Sequence, residues 1–124
     1  MGDQSKRARG RWGEDRACAH LSRQGYVVVA RNWRSPEPHV RGELDVIAVR
    51  GDLLVFCEVK ARRGTGFGGA ASAVDDAKRA QVRMLAESWI RRADTDFDDV
   101  RFDDVRFDVI AIDGVRLTHH EAAF

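Results

Sequence analysis

Cysteine is scarce in this 124-residue chain, which holds only Cys18 and Cys57. Neither sits in a CxxC pair or beside a partner histidine, and both fall in apolar-patterned segments. That excludes a disulfide framework and a thiolate zinc site in favour of two reduced core thiols. Long apolar runs are absent too. The longest is a handful of residues, against the roughly 20 that a membrane helix needs. The amino-terminal MGDQSKRARGRWGED carries basic residues with no apolar stretch behind them. No export or membrane signal is read there, and a cytoplasmic protein is expected. Proline occurs twice, at Pro36 and Pro38, both inside NWRSPEPHVRG, which marks that segment as a loop. With 44% hydrophobic and 33% charged residues, the chain suits one domain over 1–124 with a core of ordinary size.

The net charge of +1 conceals an asymmetry. Residues 1–63 hold 13 Lys/Arg against 8 Asp/Glu, and residues 64–124 hold 8 against 12, so the halves carry +5 and −4. That polarity suits an anionic partner on one side.

The hydrophobic period changes along the chain. Gly10 to Gln24 reads as a helix stopped by Gly25, with Ala17, Cys18 and Leu21 on one face and Glu14 placed toward that core side. YVVVAR (26–31) reads as a strand, and ELDVIAVRGDLLVFCEVKAR (43–62) as two strands around an Arg-Gly-Asp corner. After GTGFGG, a helix is predicted from about residue 71 or 74 to Arg92, and RFDVIAI (106–112) is the last strand. FDDVR occurs twice in tandem from Phe97 to Arg106, a local duplication that lengthens the loop or the start of that strand.

The corner raises a question of charge, because Asp45 and Glu58 lie inside runs otherwise fit for a sheet interior, where an unpaired charge is costly. If Gly51 and Asp52 form a two-residue hairpin turn, paired residue numbers sum to 103. Asp45 then faces Glu58, and Glu43 faces Lys60. Opposed residues share a face with β-carbons about 4.5–5.5 Å apart, and alternation puts Glu58 and Lys60 on that same face. Three carboxylates and one ammonium would repel unless something neutralises them. Either the acids are a solvated strand end paired with Arg41 and Arg62, or they hold a hard divalent cation such as Mg²⁺, which prefers carboxylate, water and phosphate oxygens.

Asp45 followed by Glu58-Val59-Lys60 resembles the PD-(D/E)xK signature of restriction-endonuclease-like nucleases, with Leu44 in the place of the signature's Pro and every ligand type intact. GRWGEDRACAHL, GYVVVARNWR, GELDVIAV, FCEVKAR and VRFDVIAI are similar, in order, to the small bacterial proteins called the YraN-like family, predicted nucleases often compared with archaeal Holliday junction resolvases. The resemblance implies an α/β restriction-endonuclease-like core, a mixed sheet with a three-strand meander flanked by helices. It implies a DNA endonuclease dependent on Mg²⁺ or Mn²⁺, with branched or structured DNA among its substrates. Asp45, Glu58, the Val59 carbonyl and Glu14 would hold the metal, and Lys60 would orient the attacking water. A non-cleaving nucleic-acid-binding accessory protein of recombination or DNA processing is the alternative. A homodimer is expected if four-way junctions are cut, since paired nicks need two sites about a two-fold axis.

Arg31, Arg34, Arg41, Arg62 and Arg63 are expected to contact DNA phosphates from the rim, and Lys78 with Gln81 from the second helix. GTGFGG matches a dinucleotide fingerprint but lacks the second strand ending in an acid about 20 residues on, and reads better as a hinge. His119-His120 reads as an exposed tail pair.

Overall fold

A computed structural model describes residues 2–62, 75–96 and 101–124, with side chains described from Gly10 to Ala61, Asp75 to Arg92 and Arg101 to Phe124. The elements run α1 (Gly2–Arg23), β1 (Val27–Trp33), β2 (Leu44–Arg50), β3 (Leu53–Arg62), α2 (Asp76–Asp96), β4 (Asp104–Asp113) and β5 (Arg116–His120). The strands form one mixed α/β sheet in the order β1-β2-β3-β4-β5. β3 and β4 pair in parallel and every other pair is antiparallel. The meander β1-β2-β3 is therefore the expected one, and α2 forms the crossover that a parallel β3–β4 pair requires. The fold is that of a restriction-endonuclease-like core. No described helix is long and apolar enough to cross a membrane.

The two helices serve different sides of the sheet. Ala17 and Leu21 of α1 pack with Val46, Ala48, Val55, Cys57, Ile110 and Ile112. Val82, Leu85, Ala86 and Trp89 of α2 pack with Ile47, Leu54 and Phe56. Alternation along β2 and β3 thus sorts the apolar residues between two cores, and it places Glu58 with Leu54 and Phe56 on the α2 side.

The hairpin register is the one the turn predicts. Arg50↔Leu53, Val49↔Leu54, Ala48↔Val55, Ile47↔Phe56 and Val46↔Cys57 all sum to 103. Gly51 carries a φ of +58° at the first turn position, where only glycine sits at ease. One step further along the ladder, Asp45 stands opposite Glu58.

Helix boundaries follow their caps. α1 stops where expected, with Gly25 at φ +89° and the Tyr26 N–H donating to the Leu21 carbonyl at 2.9 Å. It starts earlier than predicted, at Gly2 rather than Gly10. α2 begins at Asp76 because the Asp75 carboxylate accepts the Lys78 N–H at 2.9 Å, an N-cap that sets Lys78 in the first turn. Gly13 lets α1 approach β3 closely: a Cβ there would lie 2.8 Å from the Ala61 Cβ. Gly13→Val is expected to lose about 1–3 kcal/mol of stability in a denaturant melt, the usual cost of overpacking.

β5 was not predicted. RLTHH offers only Leu117 and His119 facing inward, too little alternation to read as a strand, and it forms as an edge strand on β4. His119 is consequently no tail residue: its side chain is 10% exposed, and its Nε2 donates to Asp108 Oδ2 at 2.7 Å. Asp108 is fully buried. Its Oδ1 accepts from Arg106 Nε at 2.8 Å and the Ala122 N–H at 3.0 Å, and its Oδ2 also accepts from an Arg106 terminal nitrogen at 2.8 Å. Burial works to raise the Asp108 pKa, but the bonds from His119, Arg106 and Ala122 outweigh it and bring it down to about 2. A depressed carboxylate pKa stabilises the fold above its ordinary value near 4, and that contribution is lost as pH falls toward 2. Asp108→Ala is expected to cost about 3 kcal/mol at pH 7 by removing the acceptor that Arg106, His119 and the Ala122 N–H share, and less at pH 2–3, as urea melts at both pH values would report.

Candidate metal-binding acidic site

The carboxylates meet where β2 begins and β3 ends. Ligand oxygens of Glu14, Glu43 and Asp45 lie within 4.8 Å of one another. Three chain segments supply them: Glu14 comes from α1, Glu43 from the loop before β2, and Asp45 from β2 itself. Asp45 is held by the Val59 N–H, which donates to its Oδ2 at 2.8 Å. Glu43 is held from two sides. Arg34 pairs with it at 3.2 Å, and its loop is fastened to α2 by Gln81 Nε2, which donates to the Arg41 carbonyl at 2.9 Å. Gly42 makes that fastening possible, because it has a φ of +100° and a Cβ on it would overlap the Gln81 carboxamide.

Glu58 sits behind Asp45 and is nearly inaccessible, at 1% exposure. One of its oxygens, Oε1, has no hydrogen-bond partner, and the other is 4.0 Å from Lys78 Nζ. Burial pushes its pKa up to about 9, assisted by the charge of Asp45 and a hydrogen bond with it, against the pull of Lys78 and Lys60. Without a cation, therefore, Glu58 keeps its proton at neutral pH. Glu14 is raised as well, chiefly by burial and further by Asp45 and Glu43, against Asn32 and Arg31.

Several predicted positions come together here. Glu14 and Asp45 lie in one acidic group with Glu43, Glu58 stands outside that group and interacts with Asp45, Val59 donates its amide to Asp45, and Lys60 acts on Glu58 from the same strand. Lys78 reaches Glu58, whereas Gln81 bonds to the loop. Arg31 is engaged by Asp15 at 2.7 Å and approaches Glu14 at 4.0 Å. Arg41 borders a second hollow with His39, Gln81 and Met84. Arg62 ends β3, and Arg63, GTGFGG and residues 97–100 of the tandem repeat lie outside the described residues; Asp104–Arg106 of the repeat open β4. Glu43, expected among the strand-end acids opposite Lys60, lies in the acid cluster but comes from the loop before β2, and it pairs with Arg34. Asn32, beside Glu14, was missed. Its signal in sequence is faint, an Asn at the end of a β-branched run.

The donor set fits a hard cation. Every ligand of the group is a carboxylate oxygen, and a buried oxygen of the neighbouring Glu58 lacks a partner. A second group, Cys57, Asp108 and His119, is equally close but differs in kind. A carboxylate has about four acceptor positions, and protein donors fill all four on Asp108. Burial also raises the Cys57 thiol well above its ordinary value. That group is a closed structural network.

The chain matches the model of the family described as uncharacterised protein family UPF0102 over residues 13–112. It is 43% identical to a UPF0102 protein of Frankia alni over 124 residues, the whole of both chains. It is 42% identical to one of Frankia casuarinae over 120 residues, 97% of this chain and 98% of the relative. A UPF0102 protein of Rhodococcus jostii is 47% identical over 94 residues, 76% of each chain. Because the matched span runs from the turn of α1 that carries Glu14 through Asp45, Glu58 and Lys60 into β4, the chain belongs to the UPF0102 family, the YraN-like proteins its motifs resemble.

Proposed function

We propose that this chain is one nuclease domain that hydrolyses phosphodiester bonds in DNA with Mg²⁺ or Mn²⁺. The observation that carries the reading is the buried, unpartnered oxygen of Glu58 beside Asp45, with Glu14 and Glu43 converging from other segments. Burying Glu58 with an oxygen that no protein donor satisfies is costly, and an ion held with Asp45 would relieve that cost.

Asp45, Glu14 and Glu58 are the carboxylates that would hold the ion, with Val59 completing the set through its carbonyl. A bound divalent ion supplies Lewis-acid polarisation of the phosphate and a lowered pKa for the attacking water. Lys60 orients that water and offsets negative charge growing on the phosphoryl oxygens. Arg41, Arg62, Arg63, Lys78, Gln81 and Arg31 contribute phosphate contacts that position the strand without reading bases.

The test is to incubate purified protein with Mg²⁺ or Mn²⁺ and a panel of linear, flapped and four-way DNA, scoring cleavage apart from retention. Metal-dependent cutting is the expected result. Retention of DNA without cutting under either ion supports the accessory-protein alternative instead, and junctions nicked on one strand by a monomer argue against a resolvase.

A further inference from the structure

A cavity of about 440 Å³ opens beside the carboxylates, between α1 and β1, lined by Gly10, Arg11, Glu14, Asn32 and Glu43. Its size falls within the range of small-molecule sites, about 300–1,000 Å³. Three of the lining residues are not carboxylates, and one of them, Asn32, hydrogen-bonds Glu14. Gly10 lies inside α1, where glycine weakens a helix relative to other residues, yet a Cβ built there meets nothing within 4 Å. Packing does not require a glycine at that position; the space in front of it is open. Asn32 has a φ of +50° within β1, just past the register shift between Val28 and Ala30. Asn enters that region more readily than most residues other than glycine. Here that conformation places Asn32 on the cavity beside Glu14.

We infer that this cavity is the subsite for the nucleotide adjoining the scissile phosphate, with Asn32 hydrogen-bonding its base or sugar and Arg11 facing its phosphate. The inference rests on the nuclease reading. A phosphodiester held at the carboxylates must lead its neighbouring nucleotide onto adjoining surface, and this cavity shares Glu14 and Glu43 with the acid cluster. Those acids repel a second phosphate, so the neutral sugar and base turn inward and the phosphate turns toward exposed Arg11.

The experiment uses Lys60→Ala as the parent, which keeps every carboxylate while removing the ammonium proposed for cleavage, and reads the anisotropy of fluorescein-labelled DNA in the presence of Mn²⁺. Gly10→Leu, added to the parent, projects a side chain into open space. It is expected to melt no lower than the parent, to keep the Mn²⁺-induced thermal shift, and to bind DNA at least about tenfold more weakly, the effect of losing one good hydrogen bond or its equivalent. Asn32→Gly keeps the backbone conformation and removes the carboxamide together with its bond to Glu14, and is expected to weaken binding several-fold when both proteins are compared at saturating Mn²⁺. DNA affinity unchanged by both substitutions overturns the subsite alone. A parent that retains no DNA at all overturns the nuclease reading, and the subsite with it.

Discussion

Asp45→Asn is expected to fold and retain DNA as the unmodified protein does, while cleaving it at least about 1000-fold more slowly. The magnitude follows from the several kcal/mol of transition-state stabilisation that a bound metal supplies, at about 1.4 kcal/mol per tenfold in rate. Asn is the informative replacement because its carboxamide oxygen can still accept the Val59 N–H that now donates to Asp45 at 2.8 Å. Alanine would orphan that buried donor and mix a stability loss of about 1–3 kcal/mol into the result. Single-turnover cleavage beside filter retention separates the two functions. Rates within tenfold of the unmodified protein would remove Asp45 from the metal site. Asp45→Asn that fails to fold, while Asp45→Glu folds, would make it a structural acid.

Glu58→Gln should pull stability and activity in opposite directions. Glu58 is buried, and its pKa rises from 4.5 to about 9 without a cation. A raised carboxylate pKa contributes stability that is fully present below the ordinary value and is lost as pH climbs toward the folded value. Between 4.5 and 7 the linkage, at about 1.36 kcal/mol per unit, has a ceiling near 3 kcal/mol. Gln needs no proton, and its amide donates to Asp45 as the protonated acid does. The variant is therefore expected to gain about 1–3 kcal/mol over metal-free wild type at pH 7, almost nothing at pH 5, and more at pH 8. Urea melts at the three pH values check the slope, and a variant that loses stability at every pH would show Glu58 to be a satisfied core acid. With Mn²⁺ present the order should reverse. Wild type gains RT ln(1 + [L]/Kd) from ligand binding, whereas the variant gains much less and its cleavage falls about 1000-fold. Metal uptake by wild type should also release the proton that Glu58 holds, so its affinity should rise with pH up to about 9.

The meander and the register at Asp45 and Glu58 were legible because a single local rule decides them. A two-residue turn at Gly51-Asp52 sets the pairing sum, and period-two alternation then assigns each side chain to a face. The stop of α1 at Gly25 was legible for a similar reason, since the C-cap is chemistry within a few residues. β5 was hidden. An edge strand needs little apolar alternation of its own once β4 offers a ladder, and His119 is drawn inward by a carboxylate eleven residues away. The acid cluster was partly legible. Asp45, Glu58 and Glu43 followed from the hairpin, but the Gln81 bond that fastens the loop before β2 and the Arg34 pair that holds Glu43 did not.

By itself, then, the sequence determined the elements whose cause is local: the hairpin and its register, the helix stop at Gly25, the mixed α/β order, and the presence of two acids in strands that bury them. Tertiary structure decided which acids join the hairpin pair and which are closed off. Glu14 reaches Asp45 because Gly13 allows α1 within contact of Ala61, and Asp108 is silenced as a ligand because Arg106, His119 and Ala122 occupy its oxygens. The physical reason is the same in both cases. A carboxylate's chemistry depends on which donors and charges lie within a few ångströms, and residues far apart in the chain supply most of them.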